Sequence, residues 1–382
     1  MSSILYFTRD YTTHDRRFLV ALAGTEHKVY YLRLERGEQQ LEDRPLPPKI
    51  EMVHWAGGGK PVHPKDVLRL LGDLKRVIRE VKPDLVHAGP IQSSALLAAM
   101  TGFRPLVSMS WGSDLLWDAE RNSWYGWATR YTLKHSDVLI GDCKPVRQKA
   151  IAFGMPDEKI VTFPWGVDLK HFTPDGQAGR LPSVNFRKGV EKDDIFVLLS
   201  TRGWEPVYGV DIIAKAFVLA AQQAAARSYP ELHLIMLGGG SQATLLRQIF
   251  LKGGVQEQVH FPGQVSQNDL PDYYRSVDLY VSASHSDGTS ISLLEAMACG
   301  RPVLVSDIPG NREWVEPGVQ GWWFPDGSAN ALAQGILCAV EARDRSGEMG
   351  QAARRLVEER ADWECNFKHL LGAYEMAKGI SR

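Results

Sequence analysis

The chemistry of this chain concentrates in DLYVSASHSDGTSISLLEAMACGRPVLVS, from Asp278 to Ser306. Two carboxylates, Asp287 and Glu295, bracket Gly288, Thr289, Ser290 and Ile291. The apolar run predicts a strand ending near Ser284, and HSDGTS predicts a loop. A helix follows to Cys299, Gly300 ends it, and Pro302 opens another buried strand. Such a helix starts at the C-terminal edge of a strand, where free N–H groups and the helix dipole favour an anion such as a diphosphate. Helical side chains lean toward the N-terminus, so Glu295, about two turns in, points back toward the loop. Carboxylates accept paired hydrogen bonds from vicinal hydroxyls, as on ribose and hexose rings. One acid facing each sugar, with a diphosphate between them, suits a nucleotide sugar. The same residues admit a plainer reading, with Ser292-x-x-Glu295 as a capping box and Asp287 as a turn residue.

Residues of this kind need a scaffold that brings strand ends to one edge. In the first half, ILYFT, KVYYLRL, DLVHAG, PLVSMSWG and DVLIGDC read as strands, with helical patterns such as RRFLVALAG and SSALLAAMTG between them. The segment from Phe172 to Asp194, with its prolines, glycines and mixed charges, breaks the rhythm. It resumes with IFVLLSTR, LHLIMLGG, QVHFPGQV, DLYVSAS and PVLVS. Alternation of this kind predicts α/β architecture with two doubly wound, Rossmann-like domains, which bind ligands beyond the C-terminal ends of their strands. Residues 1–175 are expected to form the first domain, 176–194 a linker, 195–360 the second domain and 361–382 a closing helix.

Composition excludes several classes of protein. The 44 Lys and Arg nearly cancel the 45 Asp and Glu, against the basic excess of a nucleic-acid binder. The four cysteines are scattered with no C-x-x-C pair, which disfavours a zinc ribbon or disulfide framework and fits a cytoplasmic setting. The apolar run in MSSILYFTRD is too short for a signal peptide, and no run is long enough to span a membrane. Peripheral contact with the inner membrane face stays open.

The Asp287-x7-Glu295 stretch resembles the E-x7-E signature of the retaining glycosyltransferases of family four, which have the GT-B fold. That resemblance implies two Rossmann-like domains facing a cleft and a C-terminal helix that crosses back to the N-terminal domain. It assigns donor-sugar hydroxyls to Asp287, the diphosphate to the backbone of Gly288, Thr289, Ser290 and Ile291, and the ribose to Glu295. Asp287 departs from the pattern by one methylene. LLSTRGWEPVYGVDIIAKAF is similar to the family segment where an Arg and a Lys clamp the phosphates. Arg202 takes the Arg place, but Tyr208 stands in the Lys place, leaving Lys215 or Arg16 as compensating bases. The resemblance puts Gln264 and Val265 beside the nucleobase and Gly238 and Gly239, in the triple glycine that runs to Gly240, near it. That triple glycine also reads as a plain turn.

In the N-terminal half, DLVHAGP, SMSWGSD, SDVLIGDC and KIVTFPWGVDLKHFTP follow the family order. Trp111 stands where the family often has His. His14, Asp15 and Arg16 open the helix after the first strand; His14 is expected to contact donor or acceptor, or to be merely solvated. Asp114 follows a strand and Gly112, and with Asp15, Arg16 and Trp111 it makes up the expected acceptor side. Trp111, Trp117, Trp124, Tyr125 and Trp127 read as sugar-stacking, lipid-touching or, preferentially, packing residues.

The chain has no Asp-x-Asp and no G-x-x-x-x-G-K-[ST], so neither a metal on the diphosphate nor P-loop chemistry is expected. Arg202 and the helix start must then neutralise the leaving group. The expected activity is metal-independent hexosyl transfer from a UDP- or GDP-type sugar to the hydroxyl of a glycan, lipid-linked or small acceptor, with Asp287, Arg202 and His14 nearest the reaction and no cofactor. The alternatives are a nucleotide-sugar epimerase of the same fold and a non-catalytic nucleotide-sugar binder.

Overall fold

A computed structural model describes residues 2–35, 42, 44–59, 63–176 and 194–380. The chain divides into two compact units, one of Met1–Pro164 with Asn366–Arg382 and one of Trp165–Cys365. Apart from Gly176 and Asp194, the linker expected at 176–194 lies outside the described residues. The last helix, Trp363–Ile380, counts with the first unit from Asn366 onward.

The first unit is built on a parallel sheet of β1 (Ser3–Arg9), β2 (Lys28–Leu34), β3 (Ile50–Met52), β4 (Leu85–Gly89), β5 (Leu106–Met109), β6 (Val138–Gly141) and β7 (Ile160–Thr162). Its spatial order is β3-β2-β1-β4-β5-β6-β7, so the winding reverses between β1 and β4. The second unit holds β8 (Ile195–Ser200), β9 (Glu231–Leu237), β10 (Val259–Gly263), β11 (Leu279–Ser282), β12 (Val303–Ser306) and β13 (Gly321–Phe324). Here the order is β10-β9-β8-β11-β12-β13, and the reversal falls between β8 and β11. At such a switch point adjacent loops part and leave a crevice.

Every residue of β8, β11 and β12 is buried, as a parallel sheet covered on both faces requires. Phe196 and Leu198 join one core with helix Val210–Ala226, while Ile195, Val197 and Leu199 join another with helix Ile291–Ala298. Helix and sheet packing therefore fix the strand ends. In the first unit, the closing helix docks through Tyr374, whose hydroxyl lies 2.7 Å from Nδ1 of the buried His87 on β4. Burial lowers the His87 pKa to about 3, so this ring stays neutral at pH 7.

Candidate active site

Arg202 follows the end of β8, and the loop from 283 to 290 follows β11, so the two meet at the reversal of the second sheet. The guanidinium reaches across that gap. Nη2 donates to Asp287 Oδ2 at 2.7 Å, and Nη1 donates to Ser290 Oγ at 2.9 Å and Ser292 Oγ at 3.1 Å. The Arg202 side chain is 11% exposed and that of Asp287 20%. Burial pushes the Asp287 carboxyl above its ordinary pKa, against the pull of Arg202. Burial also works against the Arg202 charge, but the Asp287 carboxylate leads the charges that offset it and hold the pKa up. The pair lies partly shielded from water, where Coulombic effects are stronger than at a free surface.

Helix Ile291–Ala298 begins at the end of this loop, with Ser290 as its N-cap and the Ser290 hydroxyl accepting from the Leu293 N–H. The capping box read from Ser292 and Glu295 is therefore not formed. Thr289 and Ser290 are buried beside the helix start. Glu295 is also buried, and its Oε2 accepts from the Tyr274 hydroxyl at 2.9 Å; the hydroxyl of Thr201, next to Arg202, lies 3.1 Å from the same group. Tyr280 donates to Ser292 at 2.8 Å. Both expected acids and Arg202 thus belong to one network, and Thr201, Tyr274, Tyr280 and Ser292 are members that sequence reading missed. The two tyrosines read as ordinary strand and helix residues, and only tertiary placement gives their hydroxyls a task.

The loop is underpinned from β12. Ser306 donates to the Ser284 carbonyl at 2.6 Å, and Asn311 Nδ2 donates to the Ser306 carbonyl at 2.8 Å. At Gly310 an added Cβ would stand 2.4 Å from the Gly288 carbonyl oxygen, so only glycine lets this turn support the loop. The nearest sequence signal for it is Pro309-Gly310-Asn311, a turn motif with no evident partner.

The remaining second-unit candidates lie at neighbouring strand ends. Gly238 follows β9 and donates its N–H to the Gly263 carbonyl at the end of β10, next to the exposed Gln264 and the half-buried Val265. The Gly239 carbonyl accepts from the Trp204 N–H at 2.9 Å, which ties the glycine turn to the Arg202 segment. Lys215, one of the two compensating bases expected, lies exposed on helix Val210–Ala226. Its ammonium pairs with Asp211 one turn earlier on its own helix, at 2.8 Å.

In the first unit, the His14 and Trp111 rings approach to 5.6 Å, spanning the end of β4. Gly89 makes room for this, since a Cβ there would meet the Met109 carbonyl oxygen at 2.5 Å and the Trp111 indole nitrogen at 3.1 Å. Arg16 is half-buried on the first turn of helix Thr13–Ala23. Two acceptor-side expectations are corrected. Asp15 is wholly buried and forms a capping box with Thr12, also accepting from Tyr6 at 3.3 Å. Asp114 is 4% exposed and accepts from Ser110 Oγ and from the N–H groups of Ile91, Trp111 and Leu115. Both carboxylates are held by their own unit. The packing role preferred for the other aromatics also fails for three of them: Trp117, Trp124 and Trp127 are 55, 53 and 49% exposed.

Two family models match the chain: Glycosyltransferase Family 4 over residues 12–171 and Glycosyl transferases group 1 over residues 183–356. The chain belongs to the family-four glycosyltransferases. Its curated relatives include the D-inositol 3-phosphate glycosyltransferase of Geodermatophilus obscurus, 29% identical over 63% of this chain and 53% of that protein. The chain thus spans about half the length of that relative. The GDP-mannose-dependent alpha-(1-6)-phosphatidylinositol monomannoside mannosyltransferase of Mycobacterium tuberculosis is 28% identical, over 76% of this chain and 75% of the other. Among solved structures, HepE of Anabaena in complex with UDP-glucose matches with a TM-score of 0.77 at 19% identity, covering 98% of this chain and 100% of that one. Sucrose-phosphate synthase of Thermosynechococcus elongatus matches with a TM-score of 0.79 at 18% identity, over 98% of both chains. The fold is the family's GT-B class, with two parallel-sheet Rossmann-like domains.

Set against the pattern that the resemblance implies, the chain has an acid at both signature positions and an arginine after the first strand of its second unit. It departs at Tyr208. The ring there lies under the Arg202 guanidinium, 4.2 Å from ring centre to guanidinium carbon.

Proposed function

We propose that the chain transfers a hexosyl group from a UDP- or GDP-type sugar to an acceptor hydroxyl, using no metal on the diphosphate and retaining anomeric configuration. The observation that carries this reading is the meeting of Arg202, Asp287 and the N-cap Ser290 at the β8–β11 reversal. The diphosphate is assigned to Arg202 and to the backbone from Gly288 to Ile291. Asp287 takes donor-sugar hydroxyls, Glu295 takes the ribose, and the ends of β9 and β10, at Gly238, Gly239, Gln264 and Val265, take the base. In the reaction the anomeric C–O bond breaks with its electron pair moving onto the diphosphate. The acceptor oxygen bonds to the same carbon and gives up its proton to an oxygen of the departing diphosphate. Negative charge therefore grows on the diphosphate, where a fixed guanidinium and oriented N–H groups stabilise it. His14, beside Trp111, and Arg16 are assigned to the sugar or acceptor side.

The names of the relatives support a nucleotide-sugar donor and a polyol or lipid-borne acceptor. Peripheral membrane contact belongs to the same reading. Helix Ser123–Lys134 carries the exposed Trp124 and Trp127 with exposed Arg130 and Lys134 and no acid. Indoles at headgroup depth and cations toward anionic lipid suit a surface-bound helix. No helix of the described residues is long and apolar enough to cross a membrane.

The test is to incubate the chain with UDP- and GDP-sugars, with and without acceptors, in the presence of a chelator. Acceptor-dependent release of nucleoside diphosphate that survives chelation is expected. Interconversion of a donor sugar without acceptor points to an epimerase, and tight donor binding with no turnover across acceptors points to a binder; either contradicts the proposal.

A further inference from the structure

Tyr208 stands where the family resemblance puts a phosphate-binding lysine, and its surroundings give it a different task. It closes the short turn Pro206–Tyr208 ahead of helix Val210–Ala226. That turn is fixed to the anion loop at two points. The His285 N–H donates to the Val207 carbonyl at 2.9 Å. Gly209 has φ +58, and an added Cβ would stand 2.1 Å from the Ala283 carbonyl oxygen, so the backbone meets the end of β11 too closely for any other residue. The half-buried Tyr208 ring packs against the core around helix Val210–Ala226, and Arg202 lies over the ring at 4.2 Å. The two terminal nitrogens of Arg202 are held by Asp287, Ser290 and Ser292, whereas its buried Nε has no hydrogen-bond partner among the described residues. The aromatic face supplies what holds the inner part of the guanidinium, by the attraction between a cation and a ring quadrupole.

We infer that Tyr208 is a positioning residue that replaces a second phosphate-binding cation, its ring holding the Arg202 guanidinium in the orientation that meets the donor diphosphate. This rests on the reading of the anion site given above. It assigns the effect to the ring face and not to the hydroxyl, and it makes Arg202 the route through which Tyr208 acts. A ring-free side chain of similar bulk therefore weakens the hold on the diphosphate, while a phenyl ring keeps it.

The experiment measures binding of UDP and GDP by calorimetry, and donor KM and kcat, on the full chain, with melting temperature as a check on folding. Tyr208→Leu is expected to weaken nucleotide binding and lower kcat/KM for the donor by about tenfold, the range of a partly desolvated cation–π contact, with kcat sharing in the fall because Arg202 also meets the growing charge. Tyr208→Phe is expected to recover most of that loss. In an Arg202→Ala background, Tyr208→Leu is expected to cause no further loss, which a merely structural role does not predict. The inference is overturned if Leu binds as wild type does, if Phe is as weak as Leu, or if the Leu effect persists without Arg202. Should the wild-type chain bind neither UDP nor GDP, the reading of the site fails and takes this inference with it; the preceding outcomes overturn the inference alone.

Discussion

The two units share a design and use it differently. Each is a parallel sheet whose winding reverses once, with loops gathered at the strand ends. In the second unit that edge holds Arg202 and Asp287, a charged pair whose other contacts include serine hydroxyls at a helix start. In the first unit the acids at the comparable edge, Asp15 and Asp114, accept several hydrogen bonds from their own backbone and neighbours. An acid bound to an arginine tip can exchange that partner for a ligand. An acid that satisfies three buried backbone N–H groups cannot leave without stranding them. The second edge is arranged for exchange, and the first for holding its loops in shape.

That contrast can be broken by mutation. Arg202→Ala is expected to lower kcat/KM for the donor by about a thousandfold, as removal of a principal charge-stabilising group does; steady-state kinetics check it, and a loss under about tenfold removes Arg202 from the role assigned. Asp114→Ala should act on stability instead, by about 4 kcal/mol, because it strands a buried hydroxyl and three N–H groups. Urea unfolding measures this, and an unchanged midpoint with lost activity would reverse the comparison.

Asp15 gives a pH signature. Burial raises its pKa from 3.8 to about 6, against the hydrogen bonds from Thr12, Thr8 and Tyr6. Between those values the folded chain holds a proton that the unfolded chain has released, so this group's contribution to stability falls as pH rises through the window. Asp15→Asn should flatten that fall, by at most about 3 kcal/mol across the window; unfolding midpoints measured at intervals from pH 4 to pH 7 read it, and parallel curves for both proteins contradict it. The smallest effect concerns the exposed indoles. Replacing Trp124 and Trp127 by Ser should weaken binding to vesicles containing anionic lipid by about tenfold. Sedimentation of vesicles checks this, and a wild-type chain that stays in solution removes membrane contact from the proposal.

Much of the architecture was legible in the sequence because fully buried strands are continuous apolar runs. IFVLLS and PVLVS need no partner to be recognised. The strands not read were Ile50–Met52, Ile160–Thr162 and Gly321–Phe324, each at a sheet edge and only three or four residues long. With one neighbour and a short span, such strands carry little pattern. Asp287, Arg202 and the helix start were legible as local chemistry at strand ends. The tasks of Asp15 and Asp114 were not, since an acid after a strand looks the same whether it faces a ligand or its own backbone. Tyr274, Tyr280, Ser306 and Gly310 were invisible for a related reason: their partners lie on other elements of the unit.

The most direct test of the central claim is a crystal structure of the chain with an intact UDP- or GDP-sugar. The diphosphate is expected within hydrogen-bond distance of the Arg202 guanidinium and the N–H groups between Gly288 and Ile291, with Asp287 on the hexose and Glu295 on the ribose. A nucleotide bound elsewhere, with the Arg202–Asp287 pair undisturbed, would contradict it.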